Sequence, residues 1–159
     1  MIKTLKNYIK KKIFEKRTKL EFEKKNTNII NKSDLKYFIK SFGKENKDKI
    51  FYVIQRSPGG GLFSNLNYVI HHLYICEKHN FIPVIDMENF LTKYNSKQKF
   101  NNKYNSWEYY FSKVSKYNLK NVYKSRNVII TDSKTRKLKC FDSFANLDSE
   151  HYKVFKKYI

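Results

Sequence analysis

Apolar positions change period several times along the chain, and each change marks an element. Ile2, Leu5, Tyr8, Ile9, Ile13 and Phe14 recur at spacings of three and four, with Lys on the other faces, which predicts an amphipathic helix. Ser33 reads as an N-cap before Asp34, with Leu35, Phe38, Ile39 and Phe42 as the stripe of a second helix and Gly43 as its stop. Ile50-Phe51-Tyr52-Val53-Ile54-Gln55 is aromatic and β-branched with no polar alternation, as a strand covered on both faces would be. Arg56-Ser57-Pro58-Gly59-Gly60-Gly61 ends it. Leu62, Leu66, Val69, Ile70, Leu73 and Cys76 then form a helical stripe that runs out near His79-Asn80, and Phe81-Ile82-Pro83-Val84-Ile85-Asp86 is another strand. Strand, glycine bend, helix and strand in this order predict a βαβ unit.

Downstream, Lys93 to Asn105 is polar and reads as a surface loop. Ser106 can cap a short helix through Val114, with Trp107, Tyr110, Phe111 and Val114 on its buried side. Asn127 to Thr131 predicts a third strand, and Leu147 to Ile159 a final helix capped by Asp148 or Ser149. That last pattern stays apolar to its final residue without a Gly, Asn or Pro to stop it, so the expectation is a longer protein cut short. The fold class expected is α/β: a basic helical extension over residues 1–49 and a Rossmann-like parallel-sheet half-domain over residues 50–159.

The 159 residues suffice for one domain. Lys and Arg number 34 and Asp and Glu 14, a balance of 34 − 14 = +20, which favours an anionic partner. Residues 1–49 carry sixteen of the basic and six of the acidic groups, half of the net charge. Two origins for the charge are open. Thirty of the 34 cations are Lys, and Lys, Asn, Ile, Phe and Tyr are all spelled by A/T-rich codons, so genome composition alone could produce part of it. The basic helix within residues 1–20 equally suits peripheral contact with an anionic membrane or a solvated stripe on the body. No apolar run is long enough to span a bilayer and no signal peptide opens the chain, which points to a cytoplasmic protein, with contact at the inner face of the membrane. A nucleic-acid-binding protein is a rival class, but Arg is scarce and no nucleic-acid motif appears; a catalytically inactive remnant or interaction module with the same half-fold is a third reading. Cys76 and Cys140 read as reduced thiols, and His71, His72 and His79 have no metal-ligand spacing.

Chemistry concentrates at the glycine bend. Glycine lets backbone approach a ligand, and the helix after it aims free N–H groups and its positive dipole end at the same place, which suits a phosphate or pyrophosphate. Gly59, Gly60 and Gly61 supply the bend, while Ser64 and Asn65 lie in the first helical turn. Neither G-x-G-x-x-G nor the P-loop spacing is present. Glycines that merely permit tight strand-to-helix packing are the alternative.

Three segments in order carry a family resemblance: Gly60-Gly61-Leu62-Phe63-Ser64-Asn65-Leu66, the helix through His71-His72-Leu73-Tyr74-Ile75-Cys76-Glu77 with Phe81 to Asp86, and Asn105-Ser106-Trp107-Glu108-Tyr109-Tyr110-Phe111. Residues 50 to 130 resemble the opening of the fucosyltransferase-like glycosyltransferases, in particular bacterial members of surface-polysaccharide and lipopolysaccharide biosynthesis. The resemblance implies a metal-independent GT-B enzyme with no cofactor, using a nucleotide sugar such as GDP-fucose and a saccharide or lipid-linked saccharide acceptor, with inversion. It places Asn65 and the bend near the donor and Asp86 at the cleft edge. Asp86 and Glu88 are the nearby carboxylates that could accept the acceptor proton. An arginine-bearing segment like His-x-Arg-Arg, which grips the donor diphosphate in such enzymes, has no counterpart, since Arg126 and Arg136 are isolated. Little or no transferase activity is therefore expected of these 159 residues alone.

Overall fold

A computed structural model of the chain describes residues 38–55, 60–131 and 147–158. The N-terminal amphipathic stretch, the cap at Ser33, Gly59, Arg136 and Cys140 lie outside the described residues.

Three short strands form the centre: β1 (Phe51–Ile54), β2 (Ile82–Ile85) and β3 (Val128–Ile130), all parallel, in the order β2-β1-β3. The lack of polar alternation in β1 has a direct cause. Tyr52 and Ile54 face one apolar cluster and Phe51 and Val53 another, so every residue of the strand is fully buried. Helix α1 (Leu62–His79) covers the first face through Tyr68, Val69, Leu73 and Cys76. Helix α2 (Leu119–Val122) contributes Val122 to the opposite face. Helix α3 (Ser149–Phe155) packs mainly on α1 and adds Val154 to the first cluster. The result is a small α/β fold with a parallel three-stranded sheet, consistent with a Rossmann-like half-domain. Among the described residues no helix is long and apolar enough to cross a membrane.

Local chemistry sets the ends of these elements. Asn80 closes α1 in the left-handed region at φ 55°, where its N–H reaches the carbonyls of Cys76 and Glu77, and Lys78 and His79 sit at the negative end of the dipole. Asp148 caps α3 by accepting from the N–H groups of Glu150 and His151.

Two expected helices take other forms. Residues 38–43 are not helical; instead Lys40 and Val128 exchange backbone hydrogen bonds of 2.7 and 2.9 Å, and the N–H groups of Phe42 and Gly43 both reach the Ser125 carbonyl. The open edge of β3 offers unpaired backbone groups, and pairing with them outcompetes a local helical turn. The helix expected from Ser106 to Val114 is a single 3-10 turn over Ser106–Tyr109, capped by Asn105. Trp107 and Val114 are buried as expected, whereas Tyr110 faces solvent at 57% exposure.

Asn105 also finishes the outer edge of β2. Its side-chain amide donates to the Ile85 carbonyl at 2.7 Å and accepts from the Met87 N–H at 3.3 Å, the two bonds a neighbouring strand would make.

Gly43 is required by close approach and does not act as a helix stop. A Cβ at this position would lie 2.3 Å from the Lys124 carbonyl oxygen, a backbone atom that cannot swing aside. Gly43→Ala should therefore destabilise the protein by about 1–3 kcal/mol, seen as a lower midpoint in urea at unchanged slope. An unchanged midpoint would show that the segment over residues 38–45 does not hold the edge of β3.

Candidate functional site

The strand order makes β1 the point where connections diverge, since the chain leaves β1 for β2 on one side and later returns to β3 on the other. Open α/β sheets receive ligands at the carboxyl ends of the strands beside such a point. Gln55 and Thr131 stand there. The Gln55 N–H donates to the Thr131 hydroxyl at 2.7 Å, and that hydroxyl donates to the Gln55 carbonyl at 3.0 Å.

Gly60, Gly61, Ser64 and Asn65 follow in the bend and first turn of α1. Gly61 is the N-cap, with φ −69° and ψ 166°, an extended conformation open to any residue. Among the described residues a Cβ there would meet only the Tyr94 hydroxyl, at an ordinary 4.0 Å. Neither the backbone geometry nor packing against those residues thus demands a glycine at position 61. What glycine does is leave the N-terminus of an 18-residue helix without a side-chain cap, and the first turn carries no acidic residue. Ser64 is exposed. Asn65 is 4% exposed, and among the described residues its side-chain carbonyl oxygen has no hydrogen-bond partner. A buried acceptor without a donor is costly, by about 1–3 kcal/mol, and such groups call for a ligand or water. The hollow beside it, between Asn65, Tyr94, Ser106 and Tyr110, holds only about 10 Å³, the space of a single water. A ligand larger than a water does not fit this hollow.

The two candidate carboxylates are placed very differently. Asp86 is completely buried at the end of β2. Its Oδ1 accepts from the N–H groups of Glu88 (3.3 Å) and Asn89 (2.8 Å), and its Oδ2 from the Gln55 amide (3.2 Å) and the Tyr123 hydroxyl (2.9 Å). The Asn89 side chain approaches both oxygens. Burial first, and then the Asp86 carboxylate beside it, push the Tyr123 phenol well above its ordinary value, so it stays protonated as a donor. Glu88 is exposed and lies on the wall of a separate cavity of about 480 Å³ along the outer edge of β2. The structure thus joins Asp86 to the end of β1 through Gln55, and turns Glu88 toward another hollow.

Gln55, Thr131, Tyr123, Asn89 and Tyr94 belong to this region and were invisible in the sequence. Tyr123 reaches Asp86 over 37 positions and Gln55 reaches Thr131 over 76, both contacts across the fold, whereas Asn89 binds Asp86 from three positions away.

The histidines serve packing. His72 Nδ1 is hydrogen-bonded to the Tyr52 hydroxyl at 2.7 Å, and His71 Nδ1 lies 3.2 Å from His151 Nε2, whose ring is held by Asp148 at 2.7 Å. This chain ties α3 to α1. Among the described residues no group of three or more His, Cys, Asp or Glu is placed to hold a metal ion. Cys76 is a free thiol within the core, and burial pushes its pKa well up, which leaves it unreactive. Trp107 stacks on Phe111 at 4.3 Å and donates its indole N–H to the Ser112 carbonyl, a core role. Glu108 pairs with Lys103 at 2.9 Å and Glu77 with Lys157.

No family model matches the chain, and no curated protein or solved structure is similar to it. The likeness to fucosyltransferase-like enzymes rests on the residues of the chain alone.

Asp86→Ala would strip the acceptor from five donor groups in one place. The expected outcome is a loss of at least about 2 kcal/mol and a melting temperature lower by several degrees. An unchanged melting temperature would instead mark Asp86 as a group held free for chemistry.

Proposed function

We propose that the bend after β1 and the N-terminus of α1 receive the diphosphate of a nucleotide sugar, and that the chain supplies the first half of a glycosyltransferase grip of the fucosyltransferase-like kind. The observation that carries this reading is the pairing of two complementary features within five residues: an uncapped helix N-terminus behind Gly61, and the orphaned buried oxygen of Asn65. The first attracts a phosphate anion through backbone N–H groups and the helix dipole; the second reaches a sugar hydroxyl through the single water that the hollow beside it holds. A phosphorylated sugar offers both.

In the transfer, the acceptor oxygen would attack the anomeric carbon while the bond from that carbon to the donor phosphate oxygen breaks. The electron pair leaves on the nucleoside diphosphate, whose growing charge faces the α1 N-terminus. The acceptor proton goes to a carboxylate. With its lone pairs engaged, Asp86 serves as a positioning residue that fixes the turn after β2, and Glu88 faces the separate hollow beside β2, so in this reading the carboxylate that takes the proton comes with the second domain. In the GT-B arrangement a second nucleotide-binding domain completes the hold on the donor, so binding is a better test of this half than turnover.

Equilibrium dialysis of the full chain against radiolabelled GDP-fucose should show saturable binding. Gly61→Val, which places branched carbons in front of the helix end, and Asn65→Ala should each weaken it at least tenfold while the protein stays folded by circular dichroism. No saturable retention by the wild type, or equal retention by both variants, would refute the assignment. Binding of unrelated duplex DNA with a steep salt dependence, and none of GDP-fucose, would assign the charge to nucleic acid instead.

A further inference from the structure

A second, much larger hollow lies away from the glycine bend. It lies along the outer edge of β2 and has a volume of about 480 Å³, within the range of about 300–1,000 Å³ typical of small-molecule sites and far above the voids of a packed interior. Its floor is apolar, formed by Val84 and Ile85 of the strand with Trp107 and Val114. Its rim is polar and unevenly charged. Lys99, Lys103, Lys113 and Lys120 face Glu88 and Glu108 across it, and the Lys103–Glu108 pair cancels itself at 2.9 Å. Among the described residues Lys99, Lys113 and Lys120 have no carboxylate within ion-pair distance, so three cations share the rim with the single carboxylate of Glu88.

The walls are built, not slack. Phe100 and Lys103 exchange two backbone hydrogen bonds of 2.9 Å around Asn101 and Asn102, both in the left-handed region at φ 48° and 61°. That is the geometry of a tight two-residue turn, in which Asn is favoured, and it sets Asn102 on the wall between Lys99 and Lys103. On the opposite wall Asn118 forms a reciprocal cap with Asn121, fixing the start of α2 and the position of Lys120. Between them the Ser115 hydroxyl is buried and has no hydrogen-bond partner among the described residues.

We propose that this hollow is a binding site for an anionic sugar, a saccharide carrying a phosphate or a carboxylate. The unpaired lysines supply the attraction for the acidic group. Ser115, Asn102 and Asn118 supply hydroxyl and amide partners for a polyol, and the apolar floor accommodates the C–H face of a sugar ring. The site is distinct from the bend and stands whether or not a nucleotide sugar binds there.

Isothermal titration of the full chain with glucose 1-phosphate and with glucuronate tests this. Saturable binding of either is expected, with glucose and inorganic phosphate each at least tenfold weaker, and the better of the two acids identifies the anionic group. The double substitution Lys113→Gln with Lys120→Gln, at exposed positions that leave the fold intact, should weaken binding at least tenfold. Ser115→Ala should weaken it severalfold, and Gly61→Val should leave it unchanged. Absence of saturable binding, equal affinity for glucose or inorganic phosphate, or insensitivity to the lysine substitutions would overturn the proposal.

Discussion

A fully buried carboxylate cannot stay in a fold unless its charge is met by donors, and Asp86 makes that demand at the carboxyl end of the sheet. Its donors come from β1 through Gln55, from the turn after β2 through Glu88 and Asn89, and from the approach to β3 through Tyr123. One side chain thereby fixes the positions of all three segments. Thr131 closes the same circle by joining the ends of β3 and β1. The ligand-facing edge of this small sheet is held from within by a polar network, which three strands of three or four residues could not achieve by ladder hydrogen bonds alone.

Both outer edges of the sheet are managed by side chains and irregular backbone. Residues 40–45 run along β3, where Gly43 is the one residue that fits against Lys124. Asn105 imitates a strand at β2. Beside Asn105, residues between Lys99 and Lys120 line the large basic hollow together with Val84 and Ile85 of β2. The glycine bend is the inverse case. Among the described residues the hollow beside it has room for a single water, yet its helix end has no side-chain cap and Asn65 is left with an unmet oxygen. The two regions therefore differ in kind: one is a cavity with charged walls, the other a helix start with directed polar groups.

Much of this was legible in the chain because it depends on period and local chemistry. The unbroken apolar run at residues 50–55 announced a strand buried on both faces, and the stripe from Leu62 to Cys76 announced the helix, to within a residue at either end. The glycine bend and Asn65 stood out as candidate chemistry for the same local reasons. What the chain concealed depended on distant partners. Phe38 to Gly43 has a helical stripe, but an open strand edge elsewhere in the fold claimed its backbone. Asp86 looked like a free acid because Tyr123 and Gln55, its donors, lie 37 and 31 positions away. The lysines of the hollow were indistinguishable from the general Lys excess until the fold set four of them around one space.

Nucleotide-sugar binding at the bend requires the amides opening α1 to meet a diphosphate. Amide chemical shifts of the full chain, followed while GDP is added, test it residue by residue. Saturable shifts centred on Leu62 and Phe63, with the amides of Lys78 and Val128 unmoved, are what the geometry predicts. Shifts centred anywhere else, or none at all at millimolar GDP, would contradict it.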